Sequence, residues 1–195
     1  IITALGSIDG QAYGAATAGD RNAWHDNNSD RVLYGNARSN FVAGDHAASL
    51  ANVDDTDGRL THSVVSLAKR IAQTAQTVNG DGIRPYRYGE DMESFVMFVP
   101  SFAFRDLRED MIANGYWQDA LARAKSNPLF SGPTSIEWDG VIVREIPEIQ
   151  TLAGAGAGDP AIDVAPCYLC GAQALAAAWA MRTKTTLRKE DDYGF

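Results

Sequence analysis

Cysteine is scarce in this chain of 195 residues, which contains only Cys167 and Cys170, spaced as a single CxxC pair. One pair is too few for a disulfide framework and would supply only half of the ligands of a structural zinc site. We therefore expect a reducing compartment and no zinc centre.

The CxxC pair stands directly before an alanine-rich stretch, YLCGAQALAAAWAMRTK. A CxxC at the start of a helix lowers the pKa of a thiol, so a redox function is one interpretation. The strand and helix context that a thioredoxin-like motif needs is missing upstream. We favour the other interpretation, in which Cys167 and Cys170 are small buried residues at the base of an alanine-rich helix.

Basic residues are also outnumbered. The chain has 17 Lys and Arg against 25 Asp and Glu, which gives a net charge of −8 and a pI near 4.8. Proteins that bind duplex DNA or anionic membranes directly depend on a positively charged surface. No apolar run approaches the ~20 residues that cross a bilayer. The sequence predicts neither direct binding to nucleic acid nor a membrane-spanning segment.

Motifs for catalysis and cofactor binding are missing as well. The GAGAG run lacks the third glycine of a dinucleotide fingerprint, because Asp159 stands there. The acidic DDTDG run does not fit an EF-hand, since valines occupy the first and last ligand positions. His25, His46 and His62 show no metal-ligand spacing, so we expect each to be a surface or loop residue. We predict no catalytic, cofactor-binding or metal-binding residues.

What the chain does contain is an amphipathic segment, LTHSVVSLAKRIAQTAQTV. Its apolar residues recur at spacings of three and four, as on one face of a helix. Thr61 or Asp57 can cap the first free amides, and the NGDG run at 79–82 stops the helix. The sequence predicts a helix over Thr61–Val78. The apolar positions are Leu60, Val64, Leu67, Ala68, Ile71, Ala75 and Val78.

Two runs rich in β-branched and aromatic residues follow, IRPYRY and SFVMFVP, with EDME as a polar turn between them. They predict an antiparallel pair packed on the helix, with Pro85 placing the first run at an edge. SIEWDGVIVREIPEI predicts a strand or a bent hairpin around Asp139–Gly140. FAFRDLREDM, YWQDALARAKS and the alanine-rich stretch predict further helices. The fold class is therefore α+β.

Residues 1–59 are polar and rich in glycine, with a brief strand-like island at Arg31–Tyr34. Such a segment can bury little of itself. We expect an extended arm and loop, ordered by contact with neighbouring subunits, or else a floppy terminus. The chain also begins at Ile1 without a methionine and ends in mid-pattern, so we expect a piece of a longer polypeptide.

Taken in order, these motifs resemble the major capsid protein family of podoviruses related to phage N-four. The resemblance covers most of the chain, and its specificity comes from the order and spacing of the motifs. They are DRVLYG (30–35), LTHSVVSLAKRIA (60–72), IRPYRY (83–88), FVMFVPSFAFRDLRED (95–110), WQDALARA (117–124), NPLFSG (127–132), WDGVIVRE (138–145), GAQALAAAWA (171–180) and EDDYGF (190–195).

The resemblance implies a Hong Kong 97 (HK97)-like major capsid fold. It would make residues 1–59 the N-terminal arm and extended loop, and 60–100 the spine helix and peripheral-domain strands. Residues 101–187 would be the axial domain, and 188–195 the start of the return to the peripheral domain.

In function, the resemblance implies a non-enzymatic structural subunit of an icosahedral bacteriophage capsid, located in the virion. Its partners would be copies of itself in hexamers and pentamers, with decoration, portal and scaffold proteins as further partners. The shell would enclose packaged double-stranded DNA without sequence-specific binding. The alternative from another class is a small cytosolic enzyme or redox protein that uses Cys167 and Cys170.

Overall fold

The computed structural model describes residues 7–8, 11–56, 58–75, 82–87, 92–116, 135–172 and 174. The α-helices in this part of the chain are α1 (Ala18–Asn27), α2 (His46–Leu50), α3 (His62–Thr74) and α4 (Ser101–Ala113). The strands are β1 (Ser7–Ile8), β2 (Gln11–Ala12), β3 (Tyr86–Arg87), β4 (Glu93–Val99), β5 (Ser135–Trp138), β6 (Val141–Glu145) and β7 (Tyr168–Cys170). Short 3-10 turns lie at Tyr13–Ala15 and Arg38–Asn40.

A mixed sheet with the order β3-β4-β6-β5 forms the centre of the fold. Strand β4 pairs antiparallel with β3 and parallel with β6, and β7 pairs antiparallel with the second half of β4. The predicted antiparallel pair is confirmed, and β3 lies at the end of the strand order, as Pro85 indicated. The small β1–β2 pair is separate from this sheet.

The predicted hairpin is also confirmed, since β5 and β6 pair antiparallel around Asp139 and Gly140. Both turn residues have positive φ, 49° and 71°, which suits a tight turn that follows the twist of the strands. Lys69 Nζ donates to the backbone oxygen of Asp139 at 2.6 Å and to its carboxylate at 3.0 Å. The Lys69 side chain therefore links helix α3 to the turn of the β5–β6 hairpin.

Helix α3 begins where the sequence predicts and ends earlier. The Thr61 side chain accepts a hydrogen bond from the Val64 amide, so Thr61 is the cap. The helix ends at Thr74. The Ile83 amide donates a hydrogen bond to the Ala72 carbonyl oxygen at 2.8 Å, so a returning segment of chain, rather than a further helical turn, satisfies this acceptor. A Cβ atom at Gly82 would collide with the Gln73 carbonyl oxygen, so this close return of the chain requires glycine.

The hydrophobic core lies between the sheet, α3 and α4. Alternate residues of the strands point into it, as expected for a half-buried sheet. The buried core residues are Leu60, Val64, Val65, Ala72, Phe95, Met97, Val99, Ala103, Phe104, Leu107, Met111, Ile136, Val141 and Val143. This core joins segments that lie on both sides of Pro100.

The N-terminal segment differs from its prediction as an extended arm and loop. Residues 11–56, which we call the N-terminal module, contain α1 and α2, and bury His25, Tyr34 and Ser49. Arg31–Tyr34 is not a strand, since Tyr34 makes only an isolated bridge with Ala37. The expectation that this segment buries little of itself was wrong, because hydrogen-bonded polar side chains, rather than an apolar stripe, fix this module.

Several predicted elements lie outside the described residues. They are the arm before Ser7, the end of the spine helix at 76–78, the EDME turn at 90–91, most of the YWQDALARAKS helix, the alanine-rich helix beyond Gln173 and the last motif at 190–195.

Candidate functional site

The three histidines of the chain lie in two hydrogen-bonded clusters. The first is a buried row of three rings, His25, Tyr34 and His46, which we call the histidine relay. The second is a contact between His62 and Asp110 that joins the beginning of α3 to α4.

The relay is a continuous chain of hydrogen bonds. Tyr34 Oη lies 2.7 Å from His25 Nδ1 and 3.0 Å from His46 Nδ1. His25 Nε2 lies 2.9 Å from the Val42 carbonyl oxygen, which can only accept, so Nε2 carries a proton. A neutral His25 then accepts from the Tyr34 hydroxyl, and Tyr34 accepts from His46 Nδ1–H. With His25 in its neutral form, this one carbonyl group sets the direction of both hydrogen bonds to Tyr34.

Burial favours the uncharged forms of His46 and Tyr34. His25 is 0% exposed and His46 is 4% exposed. Burial lowers the pKa of His46 below its ordinary value and raises that of Tyr34, so both groups stay uncharged at neutral pH. Within the described residues, the buried Nε2 of His46 has no hydrogen-bond partner. Protonation at that atom would place an unpaired N–H donor in the interior.

Aromatic packing supports the relay on several sides. His25 stacks on Phe41 with 3.9 Å between ring centroids, and the His25 and His46 rings are 5.7 Å apart and nearly parallel. Tyr13 and Trp24 contact the His46 ring at 5.4 and 6.1 Å. The expectation that His25 and His46 are surface or loop residues was therefore wrong.

A local signal for this module was present in the sequence but was missed. Thr17 and Asp20 form a capping box, in which the Thr17 side chain accepts from the Asp20 amide and the Asp20 carboxylate accepts from the Thr17 amide. The Asp45 carboxylate caps α2 in a similar way. These caps mark helix starts that apolar periodicity does not reveal.

His62 has a different environment, at the N-terminus of α3. The Asp110 carboxylate accepts from both the backbone amide and the Nδ1 of His62, at 2.9 and 2.6 Å. Tyr116 and Trp138 pack edge-on against the His62 ring, each at 5.3 Å. This contact ties α3, α4 and β5 together, and it is a structural role that histidine spacing did not predict.

The CxxC pair lies at strand β7, and the alanine-rich helix predicted after it lies outside the described residues. Cys170 belongs to β7 and pairs with Val96 of β4, while Cys167 precedes the strand and is exposed. Both thiols are free. Burial raises the pKa of Cys170, which is opposite to the shift that activates a redox thiol. The prediction that both cysteines are buried was wrong, because Cys167 is exposed and Cys170 is half-buried.

A mainly apolar cavity of about 510 Å³ lies between the N-terminal module, α3 and the segment leading into β7. Its lining includes Trp24, His46, Ile71 and Leu169. In the described residues, no group of three or more His, Cys, Asp or Glu side chains is placed to hold a metal ion. None of the described helices is long and apolar enough to cross a membrane.

Comparison with solved structures relates this mixed helix and sheet fold to phage capsids. The chain is similar to the capsid asymmetric unit of cyanophage Pam1, with 34% identity and a TM-score of 0.70 over 88% of this chain and 48% of that chain. It shares a fold with the capsid of Ralstonia phage GP4, with 21% identity and a TM-score of 0.50 over 73% and 37% of the two chains. The chain thus spans about half the length of the Pam1 capsid chain. No curated protein sequence matches it.

The family model for phage capsid protein matches residues 3–195. The chain belongs to this phage capsid protein family. The interpretation of Cys167 and Cys170 as the site of a redox enzyme is not supported by these comparisons.

Proposed function

We propose that this chain is part of the shell-forming subunit of an icosahedral phage capsid with an HK97-like fold. The observation that carries the proposal is the family match over residues 3–195, together with the fold shared with the Pam1 capsid. In this proposal, copies of the subunit form hexamers and pentamers around packaged double-stranded DNA. Portal, scaffold and decoration proteins are the further partners.

The proposed domain organisation follows the same resemblance. Helix α3 is the spine helix, and residues 60–100 contribute it together with the peripheral strands. Residues 101–187 belong to the axial domain, and 188–195 begin the return to the peripheral domain. Strand β4 pairs in parallel with β6 across Pro100, so in this proposal the peripheral and axial segments contribute to one sheet and one core.

The charge of the chain supports a role as a wall around DNA. A net charge of −8 repels a polyanion, so the subunit provides little non-specific attraction for the genome. A shell with this charge does not bind the DNA tightly, so the DNA can be packaged and released.

The experiment that tests this function is assembly of the natural full-length protein. Size-exclusion chromatography and negative-stain microscopy should show large, closed, regular shells. A small discrete species at every concentration, under conditions in which the Pam1 capsid protein assembles, would overturn the proposal.

The shell should be held without covalent cross-links through the N-terminal segment. Some capsids of this fold join a lysine of the extended loop to an asparagine of the next subunit, but residues 1–59 contain no lysine. Lys69 is engaged with the Asp139 turn, and the other lysines are Lys125, Lys184 and Lys189. Obligate interfaces typically bury more than ~2,000 Å², which is enough without a covalent bond.

The measurement is a denaturing gel of mature particles boiled in detergent and reductant. We expect one band at the mass of the monomer. A capsid known to be cross-linked, run beside it, is the control for the sensitivity of the gel. A ladder of resistant multimers would show that the prediction is wrong.

A further inference from the structure

The cavity of about 510 Å³ is enclosed by parts of the chain that are distant in sequence. Its walls include Trp24 and His46 of the N-terminal module, Ala68 of α3, Ala103 of α4 and Leu169 of β7. No short motif indicates it, because only the tertiary fold brings these segments together. Binding sites for drug-sized molecules are mostly apolar concavities of about 300–1,000 Å³ with a few well-placed polar groups, and this cavity falls in that range.

His46 gives the cavity one specific polar group. The residue is 4% exposed, and its Nδ1 lies 3.0 Å from Tyr34 Oη. Its other ring nitrogen, Nε2, is buried and has no hydrogen-bond partner within the described residues. Tyr13 and Trp24 both contact the His46 ring and line the cavity, whereas His25, which stacks on the ring, does not line it. The His46 ring therefore lies between the rest of the relay and the cavity.

The relay determines which kind of partner His46 Nε2 can take. With His25 neutral, His46 Nδ1 donates to Tyr34 Oη, so a neutral His46 ring carries no proton on Nε2. Nε2 is then an acceptor, and its partner must be a hydroxyl or an N–H group. A buried acceptor that stays unpaired costs free energy. An occupant that supplies a donor is therefore favoured over one of the same shape that lacks it.

The rest of the lining favours an occupant that is uncharged and small. Charged residues of both signs line the cavity, and some of them pair with each other, as Arg105 does with Asp106 at 3.6 Å. Their charges therefore largely offset one another. A segment of polypeptide would bring an N–H and a C=O with every residue, each needing a partner. Within the described residues, His46 Nε2 is the one buried side-chain atom that lacks a partner, so a molecule with a single donor fits better.

We propose that the cavity binds a small, uncharged, mainly apolar molecule with one hydroxyl or N–H group, which donates to His46 Nε2. The bound molecule contacts the N-terminal module, α3 and the segment leading into β7 at the same time. It therefore stabilises the packing of the N-terminal module on the rest of the chain. The site lies within one subunit, so it goes beyond the proposed role in a shell and does not depend on it.

Indole and indene are matched probes for this site, because the two bicyclic molecules have nearly the same shape and only indole carries an N–H. Isothermal titration calorimetry of the full chain should show one indole molecule bound per chain. Indole should bind about tenfold more tightly than indene, as expected for one added hydrogen bond. Equal affinities would refute the donor contact. No binding of indole up to its solubility limit would refute the site.

His46→Gln and His46→Asn test the acceptor. A glutamine amide lies close to the position of Nε2, whereas an asparagine amide lies close to that of Nδ1. The preference for indole over indene should persist in His46→Gln and disappear in His46→Asn. Because the preference is a ratio measured within one variant, a general loss of stability does not imitate this result. A preference that survives unchanged in His46→Asn would show that His46 is not the acceptor.

Ala68→Phe and Ala165→Phe test the location, because each places a ring in the cavity from a different segment of its lining. Each should weaken the binding of indole about tenfold, through lost space rather than a lost hydrogen bond. Ala113→Phe is the matched control, since Ala113 is exposed at the end of α4 and does not line the cavity. It should bind indole like the unaltered chain.

Circular dichroism verifies that each variant is folded before its affinity is compared. If both cavity-filling variants bind indole as tightly as Ala113→Phe does, the cavity is not the site. Assembled and unassembled chains should bind indole equally well. If indole binds unassembled chains but is excluded from assembled ones, a neighbouring copy fills the cavity, and the proposal of a small-molecule site is wrong while the proposed function stands.

Discussion

Val65→Asp is expected to leave the chain unfolded under conditions in which the unaltered chain is fully folded. Val65 is 0% exposed and lies on the core face of α3. A carboxylate there has no partner, and burying it, charged or protonated, costs several kcal/mol. Domains of this size are typically stable by about 5–15 kcal/mol, so one such change removes much or all of the free energy of unfolding.

The measurement is the urea midpoint followed by far-ultraviolet circular dichroism. Val65→Ala is the graded comparison, and should cost about 2 kcal/mol through the lost packing. Arg70→Asp introduces the same aspartate on the exposed face of the same helix, and should change stability by less than about 0.5 kcal/mol. Equal midpoints for Val65→Asp and Arg70→Asp would contradict the assignment of the core face.

Ile71 shows that not every buried position on this face is equivalent. Ile71 is 5% exposed, but it lines the cavity and is absent from the main core cluster. The apolar periodicity placed Ile71 on the apolar face of the helix and did not include Val65, although Val65 is the more deeply buried of the two. Periodicity indicates which way a side chain points, but it does not indicate how densely the space beyond it is filled.

Local features of the fold were predictable from the sequence because their causes are local. The Thr61 cap, the apolar face of α3 and the Asp139–Gly140 turn each depend on residues within a few positions of one another. The parallel pairing of β4 with β6 joins Phe95 to Val141 across the chain, and no short-range pattern encodes it. Such pairings are decided by burial of the whole core.

The N-terminal module was missed for a different physical reason. Helix α1 has a weakly apolar sequence, AGDRNAWHDN, and it buries a histidine rather than a leucine. Its position is fixed by polar contacts, such as the Asp26 carboxylate accepting from the Gly44 amide and Asn22 accepting from the His46 amide. Partners 18 and 24 residues apart cannot be paired from residue types alone.

Acid is expected to loosen the N-terminal module before the core of the protein. Burial lowers the pKa of His46 in the folded state below the value of about 6.5 for an unfolded chain. The stabilisation from a neutral His46 is therefore fully present above pH ~6.5. It is lost as the pH falls from there toward the lowered native pKa, because the unfolded state binds the proton first.

Hydrogen exchange at pH 7 and pH 5, corrected for intrinsic rates, measures this effect in α1 and α2. Protection should fall by up to about tenfold per pH unit below 6.5, which is the limit for one proton. Protection in α4 should change less over the same interval, because α4 packs in the main core. The range stops at pH 5 so that titration of ordinary carboxylates contributes little.

His46→Asn isolates the cause, because an asparagine amide can still donate to Tyr34 Oη but does not titrate in this range. This variant should be less protected than the unaltered chain at pH 7, and its protection should depend less steeply on pH. His62→Asn is the matched control, since it removes a histidine that lies outside the relay and leaves His46 in place. If His46→Asn keeps the full pH dependence of α1 and α2, or if His62→Asn removes it, the relay is not the acid-sensitive element.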